Sequence, residues 1–166
     1  MYRSNTARIF SAVLLTCCAS IFLNRGVAAQ APAVLARGLR APEKIFFTPG
    51  GKLLVAEGGN GPNTGRVSLI DRCGNQFALL DALPSALSLP NNDADGLTAV
   101  TLRGRTLYAL IGEGNSLLVG PLAGTNVENP NPASPLFSSV LTIEFSAEVE
   151  RLRSGFTLPA ADHARL

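Results

Sequence analysis

The sequence predicts an all-β fold: an incomplete β-propeller of about two to three four-stranded antiparallel blades, preceded by a signal-peptide helix. Three observations predict it. Short apolar runs are separated by Gly, Pro and Asn turns, the pattern recurs at a fixed offset, and some of the runs are apolar on both faces.

The first 29 residues have the order of a secretory signal, with Arg3 and Arg8, then the apolar run Ile9 to Leu23, then Val27-Ala28-Ala29, so cleavage is expected between Ala29 and Gln30. The run is shorter than the roughly 20 residues that a membrane-crossing helix needs. An uncleaved anchor is the alternative; Leu14-Leu15-Thr16-Cys17 is a poor lipidation site because Thr16 is not the small residue wanted there. The membrane is therefore expected as a partner only during export, and the processed protein is expected to be secreted or periplasmic.

Removing residues 1–29 takes away Arg3, Arg8 and Arg25 and no acid, which leaves 14 − 3 = 11 basic against 12 acidic residues. The basic pI of 8.6 belongs to the precursor. It offers no basic patch on a folded domain, so nucleic acid is set aside as a partner. Cys17 and Cys18 leave with the signal, so Cys73 has no cysteine to pair with in the processed chain. Its setting, Asp71-Arg72-Cys73-Gly74-Asn75, reads as a turn.

Residues 30–37 read as a linker, and residues 38–166 as the propeller part: blade one about 38–90, blade two about 91–145, and the start of further structure at 146–166. In the first blade, Lys44 to Phe47, Lys52 to Ala56, Arg66 to Ile70 and Phe77 to Leu80 are short apolar runs divided by Thr48-Pro49-Gly50-Gly51, a glycine-rich stretch and Cys73-Gly74-Asn75. The second opens with Leu97 to Leu102 and Thr106 to Ile111 across Arg103-Gly104-Arg105.

A shift of 53 residues carries Gly51 onto Gly104, Leu54 onto Leu107, Ala56 onto Ala109, Gly59 onto Gly112 and Gly61 onto Gly114, with Phe47 meeting Val100. A strand repeat near 50 residues is the spacing of propeller blades. Leu53 to Ala56 and Leu107 to Ile111 are apolar on both faces, so each is expected to be covered from both sides, as stacked blades would do; a two-layer sandwich is the competing architecture. Further on, Pro121 to Pro135 reads as a long surface loop and Ser138 to Phe145 as a strand. Ala147 to Arg153 reads as a short helix capped by Ser146 and ended by Gly155, with another helical turn after Pro159.

The stretch from Gly38-Leu39-Arg40-Ala41-Pro42 through Thr48-Pro49-Gly50-Gly51 to Val55-Ala56-Glu57 resembles the opening blade of secreted six-bladed propellers, most of all the ScyD/ScyE family. That family is related to NHL and gluconolactonase-type propellers and, more distantly, to PQQ-dependent sugar dehydrogenases. Six blades of about 40 to 50 residues need roughly 240 or more. The 166 − 29 = 137 residues remaining supply at most half a ring, so a fragment of a longer protein or a truncated product is expected.

Catalytic patterns are sparse. His163 is the single histidine, which rules out a multi-histidine zinc site within the chain, and it reads as solvated near a loose end. No Gly-x-Ser-x-Gly elbow occurs. Gly58 to Gly65 is glycine-rich, but Pro62 and a strand follow, where a phosphate cradle needs the start of a helix.

The strongest chemical candidate is Asn91-Asn92-Asp93-Ala94-Asp95-Gly96, whose alternate oxygen side chains match the first half of a calcium loop. Its twelfth position is Leu102, not the bidentate Glu of an EF-hand. In the propeller reading Asp93 and Asp95 enter the innermost strand of a blade, as Glu43 does one repeat earlier. The resemblance to gluconolactonase-like propellers then implies Asp93, Asp95 and Glu43 as ligands for Ca²⁺ or another divalent cation. Two function classes follow. One is a non-catalytic exported module that binds a small molecule or a protein; the other is a lactonase or quinone-dependent dehydrogenase whose site is completed by further blades.

Overall fold

The computed structural model describes residues 31–166. The expected signal helix, the cleavage pair Ala29 and Gln30, and Cys17 and Cys18 lie outside the described residues. The described part is all-β, in several antiparallel sheets without a closed barrel.

The first sheet is a meander of β1 (Pro42–Phe47), β2 (Leu53–Glu57), β3 (Gly65–Ile70) and β4 (Gln76–Leu83), with β5 (Ala86–Ser88) and β6 (Asp93–Asp95) forming a separate ribbon after it. The second sheet joins β7 (Leu97–Arg103), β8 (Thr106–Ile111) and β11 (Val140–Glu144) in that spatial order. Between β8 and β11 runs the hairpin of β9 (Leu117–Val119) and β10 (Asn126–Glu128), so the stretch expected as loop carries a strand of its own. The short β12 (Phe156–Thr157) returns to the first sheet and pairs in parallel with β4. The sheets therefore hold five and three strands where four each were expected. The expected division at residues 90 and 91 falls inside the turn of the β5–β6 ribbon.

The two leading hairpins explain where the repeat holds and where it slips. Phe47 pairs with Leu53 across five residues, while Arg103 pairs with Thr106 across two. The three-residue difference moves the first strands to an offset of 103 − 47 = 56, while the second strands keep 107 − 54 = 53. Arg103, not Val100, is thus the counterpart of Phe47. Both turns need a left-handed residue to reverse the chain, and Gly51 (φ 77°) and Gly104 (φ 61°) supply it. Gly59 and Gly114 are also left-handed, but their partners by offset, Gly112 and Gly61, are not.

The sheets pack face to face, with β1, β2 and β3 against β7. Leu54, Ala56, Val67 and Leu69 from the first sheet meet Leu97, Val100, Leu107, Ala109 and Ile111 from the second in one cluster. The first sheet is buried on both faces at its centre: Leu54 and Val55, adjacent in β2 and so on opposite faces, are 0% and 2% exposed. The second sheet departs from the expectation. Leu107, Ala109 and Ile111 are buried, but on the other face Leu110 is 44% exposed and its ladder partner Val140 57%.

Residues 34–40, read from sequence as mostly linker, lie along the first sheet. Gln76 Nε2 donates to the Arg37 carbonyl at 2.9 Å, Arg66 Nη2 to that of Gly38 at 3.5 Å, and the Arg40 amide to Glu57 Oε2 at 2.6 Å. At the other end, the expected helix over Ala147 to Arg153 is a single 3₁₀ turn, Val149–Arg151, without a side-chain cap. It is held from outside: Gly50 N donates to Glu150 Oε1 at 2.8 Å and Lys52 Nζ to the Glu150 carbonyl at 3.0 Å. Burial pushes the Glu150 carboxyl up, but the Thr48 and Gly50 bonds and the Lys52 charge outweigh this and leave it below its ordinary range.

A second 3₁₀ turn, Ala160–Arg165, follows Pro159 as expected. Its His163 is not solvated, as the sequence suggested, but 1% exposed. Nδ1 lies 2.9 Å from Ser134 Oγ and Nε2 3.3 Å from the Ala82 carbonyl. A carbonyl only accepts, so Nε2 donates to it; in the neutral ring Nδ1 then accepts from the Ser134 hydroxyl. Ser134 Oγ in turn accepts from the Leu136 amide at 3.1 Å. All these groups are satisfied, which is why a polar ring tolerates burial here.

Candidate functional site

Three loops meet at one end of the sheets, and glycine allows it. Gly58 N donates to the Ala41 carbonyl at 2.8 Å and Gly112 N to that of Gly96 at 2.6 Å. A side chain on Gly96 would strike the Gly58 carbonyl and Ser85. The backbones after β2, after β6 and after β8 are therefore packed directly on one another.

That junction carries a carboxylate on each side. Glu43 sits at the irregularity in β1 between Pro42 and Lys44, with its Oε1 3.5 Å from where a Cβ on Gly58 would be. Asp95 ends β6, and its Oδ1 fills the space that a side chain on Gly112 would need. Burial raises the Asp95 carboxyl above its ordinary range; the Glu113 and Glu43 charges push it the same way, against a bond from the Gly114 amide. Glu43 thus borders Gly58 and Asp95 borders Gly112, on loops that pack on one another. Asp93 is exposed at the start of β6, where its carbonyl accepts from Ser88 Oγ at 3.2 Å.

Glu113 was missed in the sequence. The signal was there, since the 53-residue shift that matches Gly59 and Gly61 with Gly112 and Gly114 places Glu113 opposite Asn60. The half calcium loop, by contrast, is divided between a turn and a strand: Leu89 to Asn92 close the hairpin, and Asp93 to Asp95 are β6, paired with β5. Nor do Asp93 and Asp95 enter β7 itself, because Gly96 intervenes. Among the described residues no three His, Cys, Asp or Glu side chains converge as a metal-binding group. The Glu113 and Glu43 charges thus act on Asp95, making its ionisation harder, without a coordination shell being formed.

Two other polar clusters are structural in geometry. Glu57 is fully buried and accepts from Arg66 Nε at 3.0 Å, Arg66 Nη2 at 2.7 Å, the Arg40 amide and the Ser68 hydroxyl. The glycine-rich loop after β2 is tied by Thr64 Oγ1, which accepts from Asn60 N and donates to the Gly61 carbonyl, both at 2.9 Å. It leads into β3, with no helix behind the glycines. Cys73 is exposed in the β3–β4 turn.

An apolar cleft of ≈ 450 Å³ lies between β11 and the edge formed by β4 and β12, lined by Leu80, Leu83, Leu141, Ile143, Phe156 and Leu158 among others. Among the described residues, Glu144 is the one charged side chain on its wall. Compared with known protein families, with curated proteins and with solved structures, the chain matches none. The resemblance to ScyD/ScyE propellers therefore rests on the residues quoted for it alone.

Proposed function

We propose that this chain is the propeller-type part of an exported protein and acts as a binding module. Its ligand is a divalent cation, or a cationic group on a small molecule or protein, taken at the rim formed by Glu43, Asp95 and Glu113. The carrying observation is that Glu43 borders Gly58 and Asp95 borders Gly112 on loops packed directly on one another, with the Glu113 and Glu43 charges acting on Asp95. Carboxylates that repel one another are relieved by a cation, and their field raises the local concentration of positive ligands. The propeller reading is supported by two consecutive antiparallel sheets packed through their leading strands. A second support is the pair of matched hairpins at Gly51 and Gly104.

Calorimetry with Ca²⁺ on the processed protein tests the rim. Heat that disappears on Asp95→Ala supports the reading, and absence of heat removes the cation. Mass spectrometry of the exported product tests the export half: an N-terminus at Gln30 supports it, and an intact N-terminus on the cell-associated protein overturns it.

A further inference from the structure

The loop after β2 holds a chemistry that the rim reading does not use. Asn60 is followed by Gly61, the single Asn-Gly pair in the chain. An asparagine amide is an electrophile within reach of the next residue's backbone nitrogen, and a following glycine has no Cβ to block the approach. We propose that Asn60–Gly61 is a site of spontaneous deamidation, which converts the Asn60 amide into a carboxylate at the position matching Glu113.

The local geometry leaves both reacting groups open. Asn60 is exposed, and among the described residues neither its side chain nor the Gly61 N–H makes a hydrogen bond. A Cβ built on Gly61 meets nothing within 4 Å outside its chain neighbours, so the loop is open on that side of the residue. No other asparagine is followed by glycine, and three have engaged amides: Asn63 Nδ2 donates to the Ala133 carbonyl, Asn75 Nδ2 to Asp71, and Asn129 Nδ2 to the Asn115 carbonyl. Asp95–Gly96 has the right residues for the related isomerisation, but its glycine is buried and wedged against Gly58 and Ser85.

The reaction balances with water alone. The Gly61 nitrogen loses its proton to solvent and bonds to Asn60 Cγ, ammonia leaves, and a five-membered imide closes. Water then opens one of its two carbonyls, giving aspartate or isoaspartate; overall, amide plus water becomes acid plus ammonia. Isoaspartate inserts a further carbon into the main chain between Asn60 N and the Gly61 carbonyl. Those two atoms are bridged by the single hydroxyl of Thr64, and Ser85 Oγ also donates to that carbonyl at 2.6 Å. The lengthened chain cannot keep both ends on one oxygen, so the loop opens.

The purified chain is held in mildly alkaline buffer, native and in parallel unfolded in urea, and mapped by peptide mass spectrometry over time. In the native sample the Asn60 peptide is expected to gain the amide-to-acid mass ahead of every other asparagine, with isoaspartate confirmed by enzymatic methylation. Gly61→Ala, which has the space and an ordinary φ, is expected to fold normally and lose the faster rate. The proposal is overturned if the native Asn60 peptide stays unchanged while the unfolded one converts, or if Gly61→Ala converts as fast as the parent.

Discussion

Replacing Glu57 by Gln is the sharpest test of what holds the first sheet together. The side chain is 0% exposed, and its partner Arg66 retains only 15% side-chain exposure. Arg66 Nε and the Ser68 hydroxyl donate to Oε1, while Arg66 Nη2 and the Arg40 amide donate to Oε2. In glutamine one of these oxygens becomes an NH₂, so two donors on that side face a donor. Each buried donor left without an acceptor costs about 1–3 kcal/mol. Arg66 also loses its counter-ion, and breaking a buried pair from one side costs about 3–5 kcal/mol by direct comparison. The two routes count the same loss and agree at about 3–5 kcal/mol, a large share of the roughly 5–15 kcal/mol that stabilises a domain. Urea unfolding followed by circular dichroism reads this as a lower midpoint with an unchanged slope. Glu57→Gln combined with Arg66→Met should recover part of it, because the orphaned charge is gone. A loss below about 1 kcal/mol, the size of an exposed pair, would refute the buried network.

The other predictions concern the C-terminal turn and the rim. His163→Phe keeps the ring volume but strands the Ser134 hydroxyl and the Ala82 carbonyl, so a loss of about 2–4 kcal/mol in urea unfolding is expected; a change within about 0.5 kcal/mol would mean that His163 faces water after all. At Asp95 the folded carboxyl lies above its ordinary range, so folding penalises the ionised form. The penalty is complete above the folded value and gone below the unfolded value of about 3.9. Asp95→Asn should therefore melt higher than the parent near about pH 7, with the gap closing toward about pH 3. Thermal melts across that range check it, and a lower melting point for the variant at neutral pH would contradict the assigned surroundings.

The strands were legible because their cause is local. Runs such as Leu53 to Ala56 and Thr106 to Ile111 have no alternative that buries so many apolar groups in so few residues, and Gly51 and Gly104 mark turns that need a left-handed residue. The 53-residue offset likewise located β2 and β8 correctly. Asp93 and Asp95 were picked together from the calcium-loop pattern and, with Glu43, from expected places at strand entries, but that pattern is divided between a hairpin turn and β6.

What the sequence determined by itself was an all-β chain with these strands and their turns, since side-chain patterning and backbone preference act over a few residues. Tertiary structure alone decided the pairing of β12 with β4, the open side of the second sheet, the burial of His163 against Ser134 and Ala82, and the approach of Glu113 to Asp95. Each of these joins residues distant in the chain or depends on what covers a surface. A hydrogen bond from position 163 to position 82, or a field between carboxylates on separate loops, exists only once packing has brought those backbones within reach.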